Sequence, residues 1–146
     1  MFAILVMLSL PPLEQPAVKY VGVVNKHGGQ WLSLQVENPN DNKAYFYGYT
    51  PESYSDGIPQ GEIRPLYVME MRSTKSPWKP VELGHCATGR GVLPLEPRTK
   101  VTFEAIIPDG KWTEVRVGLA WTKDPKAPGE RVWSESLKRA DLNKKP

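Results

Sequence analysis

The sequence predicts an all-β protein, an antiparallel β-sandwich of seven or eight short strands, on three observations. Thr113 to Trp121 alternates Val115, Val117, Leu119 and Trp121 with Glu114, Arg116, Gly118 and Ala120, which is the period of a half-buried strand. An apolar face this continuous must lie on another apolar layer. Several further segments repeat the period, and no long amphipathic helical pattern accompanies them. Fifteen prolines and twelve glycines, spread along 146 residues, break helices but suit short strands joined by turns.

Taken in order, Ala17 to Asn25 reads as a first strand, closed by K-H-G-G, whose glycines allow the positive φ of a tight hairpin. Gln30 to Asn38 follows with Leu32, Leu34 and Val36 inward and Trp31, Ser33, Gln35 and Glu37 outward. N-P-N-D-N then turns the chain, because Asn and Asp side chains satisfy local backbone groups. Lys43 to Tyr49 sends Tyr45, Tyr47 and Tyr49 to one face and Ala44, Phe46 and Gly48 to the other.

Thr50 to Gly61 is a long irregular connection rich in Pro, Gly, Ser and Asp, the place where mobility is expected. Arg64 to Ser73 and Trp78 to Leu83 make a strand and a short return, and Gly84 to Gly91 is a loop. V-L-P-L and Lys100 to Ile107 follow, the latter with Val101, Phe103, Ala105 and Ile107 inward. Pro108 to Gly110 is a turn, Lys123 to Glu130 a hairpin loop, and Arg131 to Ser136 the last strand.

Three regions result: an apolar N-terminal segment with a Pro-rich linker over 1–16, the sandwich over 17–136, and a basic, flexible tail over 137–146. A single core over that length buries about 70% of the unfolded surface, so no second domain is needed. The net charge of +3 equals the excess that the last eleven residues carry, which leaves the body balanced. A nucleic-acid partner, which requires Lys and Arg clustered on the folded body, is therefore not expected. Met1 to Leu10 is apolar at nine of ten positions, too short for a bilayer-spanning helix but the length of a secretory signal's hydrophobic core. Neither preceding basic residues nor an A-x-A site accompanies it, and a first strand or buried arm is the alternative. The expectation is an extracytoplasmic protein (periplasmic, secreted or membrane-associated), with possible membrane contact through Met1 to Leu10.

L-x-L-x-V-E-N-P-N-D-N at 32–42, L-E-P-R-T-K-V-T-F-E-A at 95–105 and V-R-V-G-L-A-W with V-W-S-E between 115 and 135 resemble small bacterial exported immunoglobulin-like proteins of unassigned function. The resemblance covers about residues 17 to 136 and implies an immunoglobulin-like sandwich. A narrower similarity, at V-E-N-P-N-D-N-K and the following strand, is to bacterial intracellular proteinase-inhibitor β-sandwiches, without their tryptophan-rich motif.

Catalytic chemistry finds little material. His27 and His85 are the two histidines, and His85 beside Cys86 reads as a loop histidine next to a packed cysteine, since neighbours in extended chain project to opposite sides. One cysteine excludes an intramolecular disulfide. No C-x-x-C or H-x-x-x-H spacing suggests zinc, and Glu37, Asn38, Asn40, Asp41 and Asn42 read as an Asx turn rather than a calcium loop. No phosphate cradle, G-x-S-x-G or paired carboxylates stand out. No enzyme, cofactor or metal is expected.

The candidate surface is aromatic: Tyr45, Tyr47 and Tyr49 on one strand face, Tyr54 in the long loop and Trp78 opening the return strand. Facing outward, the rings would stack sugars or anchor a protein; inward burial of one or two of the three strand tyrosines is the expectation. The function expected is a non-catalytic binding or accessory module that contacts a protein partner or cell-surface component, as in a subunit of a membrane-associated complex. The alternatives are a carbohydrate-binding module, which needs coplanar exposed rings, and a proteinase inhibitor presenting Thr50 to Gly61 or Gly84 to Gly91.

Overall fold

A computed structural model describes residues 13–142, so the apolar run Met1 to Leu10 lies outside the described residues. The described chain is all-β, with two antiparallel sheets that share one core. β1 (Ala17–Lys26), β2 (Gly29–Glu37) and β7 (Lys100–Ile106) form the smaller sheet in the order β1-β2-β7. The larger is built on β8 (Glu114–Thr122), flanked on one side by β4 (Val68–Arg72) and β3 (Ala44–Tyr49). β5 (Lys79–Pro80) extends it beyond β4, and β6 (Arg90–Leu95) extends it beyond β3. The remaining pairings of β8 are with β9 (Glu130–Trp133) and β10 (Leu137–Lys138).

The alternation in β8 explains its central place. Val115, Val117 and Leu119 are fully buried and Trp121 nearly so, and they meet Leu32, Leu34, Val36, Phe103 and Ala105 of the smaller sheet in the shared core. On the outer face Arg116 lies between the rings of Trp78 and Trp133, 4.6 and 4.3 Å from their centroids. Arg72 covers Trp78 at 4.2 Å, while Glu70 and Glu114 pair with Arg116 and Arg72. This stack of planar cations and rings leaves Trp78 and Trp133 only partly exposed on the outer face. Gly118 permits it, since a Cβ there would stand 2.9 Å from the Trp133 ring.

Residues 61–66 join the sheets. Gly61 and Ile63 bond Thr102 of β7 in parallel fashion, and Arg64 and Leu66 then bond Tyr49 and Tyr47 of β3. That pairing decides the orientation of β3 and corrects the expected inward tyrosines. Ala44, Phe46 and Gly48 are buried, and Tyr45, Tyr47 and Tyr49 are half-buried on the outer face. The face against Arg64 must carry glycine, because a Cβ on Gly48 would lie 2.7 Å from the Arg64 carbonyl oxygen. A one-residue shift would flip every ring.

Past Ser136 the chain stays on the body: Leu137 is buried opposite Val115, and Arg139 lies 4.8 Å from the Trp112 ring centroid. The β1–β2 hairpin closes through His27 and Gly28, both at positive φ (53° and 75°), the two-residue turn that matches strand twist. The chain joins the fold at the opposite end from this hairpin, where Glu14 exchanges hydrogen bonds with Asn40 at 2.9 and 2.8 Å.

Candidate functional site: an aromatic cleft beside the open edge of β7

At the hairpin end, five separate segments enclose a cleft of about 340 Å3. Its walls are the rings of Trp31, Tyr49, Tyr54 and Tyr67 with His27 and His85. The rings hold one another edge-on. Tyr49 and Tyr54 stand at 85° with centroids 6.3 Å apart, Tyr67 and His85 at 90° and 5.3 Å, and His27 and Trp31 at 89° and 6.4 Å. Most have a second tether. Trp31 Nε1 donates to the Lys26 carbonyl at 3.0 Å, the Tyr49 hydroxyl to the Cys86 carbonyl at 2.9 Å, and His85 Nε2 to the Tyr67 carbonyl at 2.8 Å. The last bond places the proton on Nε2 and turns His85 into the cleft wall.

A four-charge network supports the floor. Lys26 Nζ lies 2.7 Å from Glu104 and 3.2 Å from Glu62, and Arg64 bonds Glu62 at 3.0 Å and approaches Glu104 at 3.5 Å. Burial alone would raise the carboxyl of Glu62, but hydrogen bonds from Arg64 and Lys26 outweigh it and hold the group below its usual 4.5. Lys26 sits above its usual 10.5, through its hydrogen bonds to Glu104 and then Glu62, which exceed the cost of desolvation. A depressed carboxyl stabilises the fold above its unfolded value and loses that contribution as pH falls through the folded one; a raised ammonium contributes fully below its unfolded value and loses it as pH rises. The network is therefore complete between those limits. The urea midpoint is expected to be flat from about pH 5 to about pH 9 and to fall in acid, with Glu62→Gln flattening the acid limb. An acid limb unchanged in that variant would contradict it.

The smaller sheet's outer edge is only partly used at this point. Thr102 N–H and C=O bond Gly61 and Ile63, and Ile106 N–H donates to the Tyr67 hydroxyl at 3.1 Å. Strand alternation puts the N–H and C=O of Glu104 on the same edge, between those bonds and along the cleft. Among the described residues no backbone hydrogen bond of that edge engages them.

Of the rings singled out by sequence, Tyr49 and Tyr54 meet in the cleft and the other three do not. Tyr45 and Tyr47 lie on the outer face of β3, where a Cβ on Gly129 would stand 2.6 Å from the Tyr47 ring. Trp78 is taken up between Arg72 and Arg116. Sequence reasoning missed Trp31, Tyr67, Arg64 and Glu104, which lie on separate segments that no local pattern joins. Cys86 corrects another expectation: it is exposed, not packed, because its loop tip is held through its carbonyl by the Tyr49 hydroxyl and Arg90 Nε and covers no core. The Thr88 hydroxyl, 3.4 Å from Sγ, leads the causes that lower its thiol pKa, ahead of backbone N–H groups and Arg90. Among the described residues no group of three or more His, Cys, Asp or Glu could hold a metal ion. Compared with family models, curated proteins and solved structures, the chain matches none.

Proposed function

We propose that this chain is a non-catalytic binding module acting outside the cytoplasm, an immunoglobulin-like sandwich whose cleft takes an extended segment of a protein partner. The observation that carries the reading is the stretch of β7 edge at Glu104 between the bonds of Thr102 and Ile106, walled by aromatic rings. An incoming strand would gain main-chain hydrogen bonds there, and its alternate side chains would meet Trp31 on one side and the Tyr49–Tyr54 corner on the other. Rings that are already tethered lose little freedom on binding. The perpendicular setting of Tyr49 and Tyr54 suits a side chain lodged in a corner better than a sugar lying on a flat platform.

The apolar Met1 to Leu10 supports the compartment, and the position of Glu14 and Asn40 supports an accessory role. A chain held by that segment against a membrane complex would present the cleft away from its anchor. The test is a display library of extended octapeptides, selected on the whole protein beside a glycan array. Enriched peptides are expected to move the Glu104 amide resonance and to bind Tyr54→Ala about tenfold more weakly, since Tyr54 is exposed and its loss spares the core. No enriched peptide, or one that leaves the Glu104 amide unmoved, would overturn the reading, and glycan hits in their place would favour the carbohydrate alternative.

A further inference from the structure

A second concavity, distinct from the cleft, opens at the start of β8 with a volume of about 830 Å3. Four cationic side chains line it, Arg72, Lys75, Lys138 and Arg139, against the single carboxylate of Glu114, which is already engaged by Arg72. Part of the charge that the sequence assigns to a loose tail is thus folded against the body. Arg139 is fixed by three contacts: its N–H bonds Thr113 at 2.9 Å, Nη1 donates to the Gly110 carbonyl at 2.6 Å, and its guanidinium lies over Trp112. Trp112 is buried and donates Nε1 to the Pro108 carbonyl at 2.8 Å, so the platform beneath the guanidinium is rigid. Lys75 sits at φ 62° in a turn whose Ser73 and Ser76 are bonded both ways at 3.0 and 2.9 Å. Glu114 is the one carboxylate that lines the concavity, and Asp141, in the same short turn as Arg139, does not line it.

We infer that this concavity binds a multiply charged oxyanion, the phosphate or sulphate group of a soluble ligand. The oriented guanidinium offers further donors in a fixed fork, and the two ammonium groups supply mobile point charges at the rim, the division of labour that suits tetrahedral oxyanions. Charge complementarity gives the sign of the ligand. Geometry gives its source, because the concavity and the place where the chain joins the fold lie at opposite ends of β8, about 26 Å apart at 3.3 Å per residue.

The test is titration of the full chain with pyrophosphate, followed by amide resonances. Saturable shifts are expected at Lys75, Thr113 and Arg139 and at the Trp112 indole, weakened about tenfold in Lys75→Gln/Lys138→Gln. Both lysines are exposed, and the double variant should melt with the wild type. Lys79→Gln, an exposed lysine on β5 outside the concavity, should bind as the wild type does. Shifts that grow without saturating, or that persist unchanged in the double variant, would overturn the inference. So would cosedimentation with phosphatidylglycerol vesicles in the absence of saturable pyrophosphate binding.

Discussion

Replacing Asn38 by alanine is expected to cost about 3 kcal/mol of stability, from a polar side chain that lines no part of the cleft. Asn38 is fully buried. Its Nδ2 donates to the carbonyls of Asn42, Leu95 and Glu96 at 2.9, 3.0 and 3.2 Å, and its Oδ1 accepts from the backbone and side chain of Asn40, both at 3.1 Å. Through these bonds one amide ties the end of β2 to the turn before β3 and to the end of β6, and so ties the two sheets. Alanine leaves carbonyls unpaired, the Leu95 bond being the one in a buried setting where water cannot substitute. Asn38→Asp should be worse at neutral pH, since it sets an acceptor against three acceptors. The acid must be protonated in the fold to donate, so its folded pKa lies above its unfolded one and the deficit shrinks as pH falls. Urea unfolding at two pH values checks both variants; an Asn38→Ala midpoint within error of wild type would contradict the latch.

Asn38 also shows where the sequence stops being legible. The V-E-N-P-N-D-N run declares a turn from local chemistry alone, and the Asn40 bonds to Asn38 Oδ1 are that Asx geometry. The bonds to Leu95 and Glu96 join residues 57 and 58 positions apart, and no local pattern carries them. Strands were legible for the opposite reason. Period-two alternation is written residue by residue, and it placed Leu34, Phe103, Val117 and Leu119 inside, where all four are fully buried. Alternation left the facing of β3 open, because Tyr45-Phe46-Tyr47 is apolar on both sides; the deciding contact, Arg64 against Gly48, comes from another segment. The cleft was the least legible part. Its walls come from the hairpin, β3 and the loop after it, the 64–67 crossing, the 82–85 loop and β7, and only assembly brings those together.

The largest loss is expected at Phe103, where truncation to alanine should cost about 4 kcal/mol and should also disturb the cleft. Phe103 is fully buried in the middle of β7, paired with Leu34, and its ring lies 6.1 Å from that of Tyr67 at 36°. Removing it opens a void between the sheets that the neighbouring strands, each fixed by its own ladder, can close only in part. Tyr67 forms the other wall of that void. Its hydroxyl receives the Ile106 N–H, its carbonyl receives His85 Nε2, and burial raises its phenol pKa. A Tyr67 that leans into the vacated space would lengthen both bonds and widen the cleft at the place where β7 is open. Core and site are thus coupled through one ring. Phe103→Leu, which keeps most of the volume, should cost about 1 kcal/mol and leave the cleft intact. Denaturant midpoints measure the first effect, and the Ile106 amide exchange rate with the His85 ring resonances measures the second. A Phe103→Ala protein that loses the expected stability while Ile106 and His85 remain as in the wild type would break the link between core and cleft.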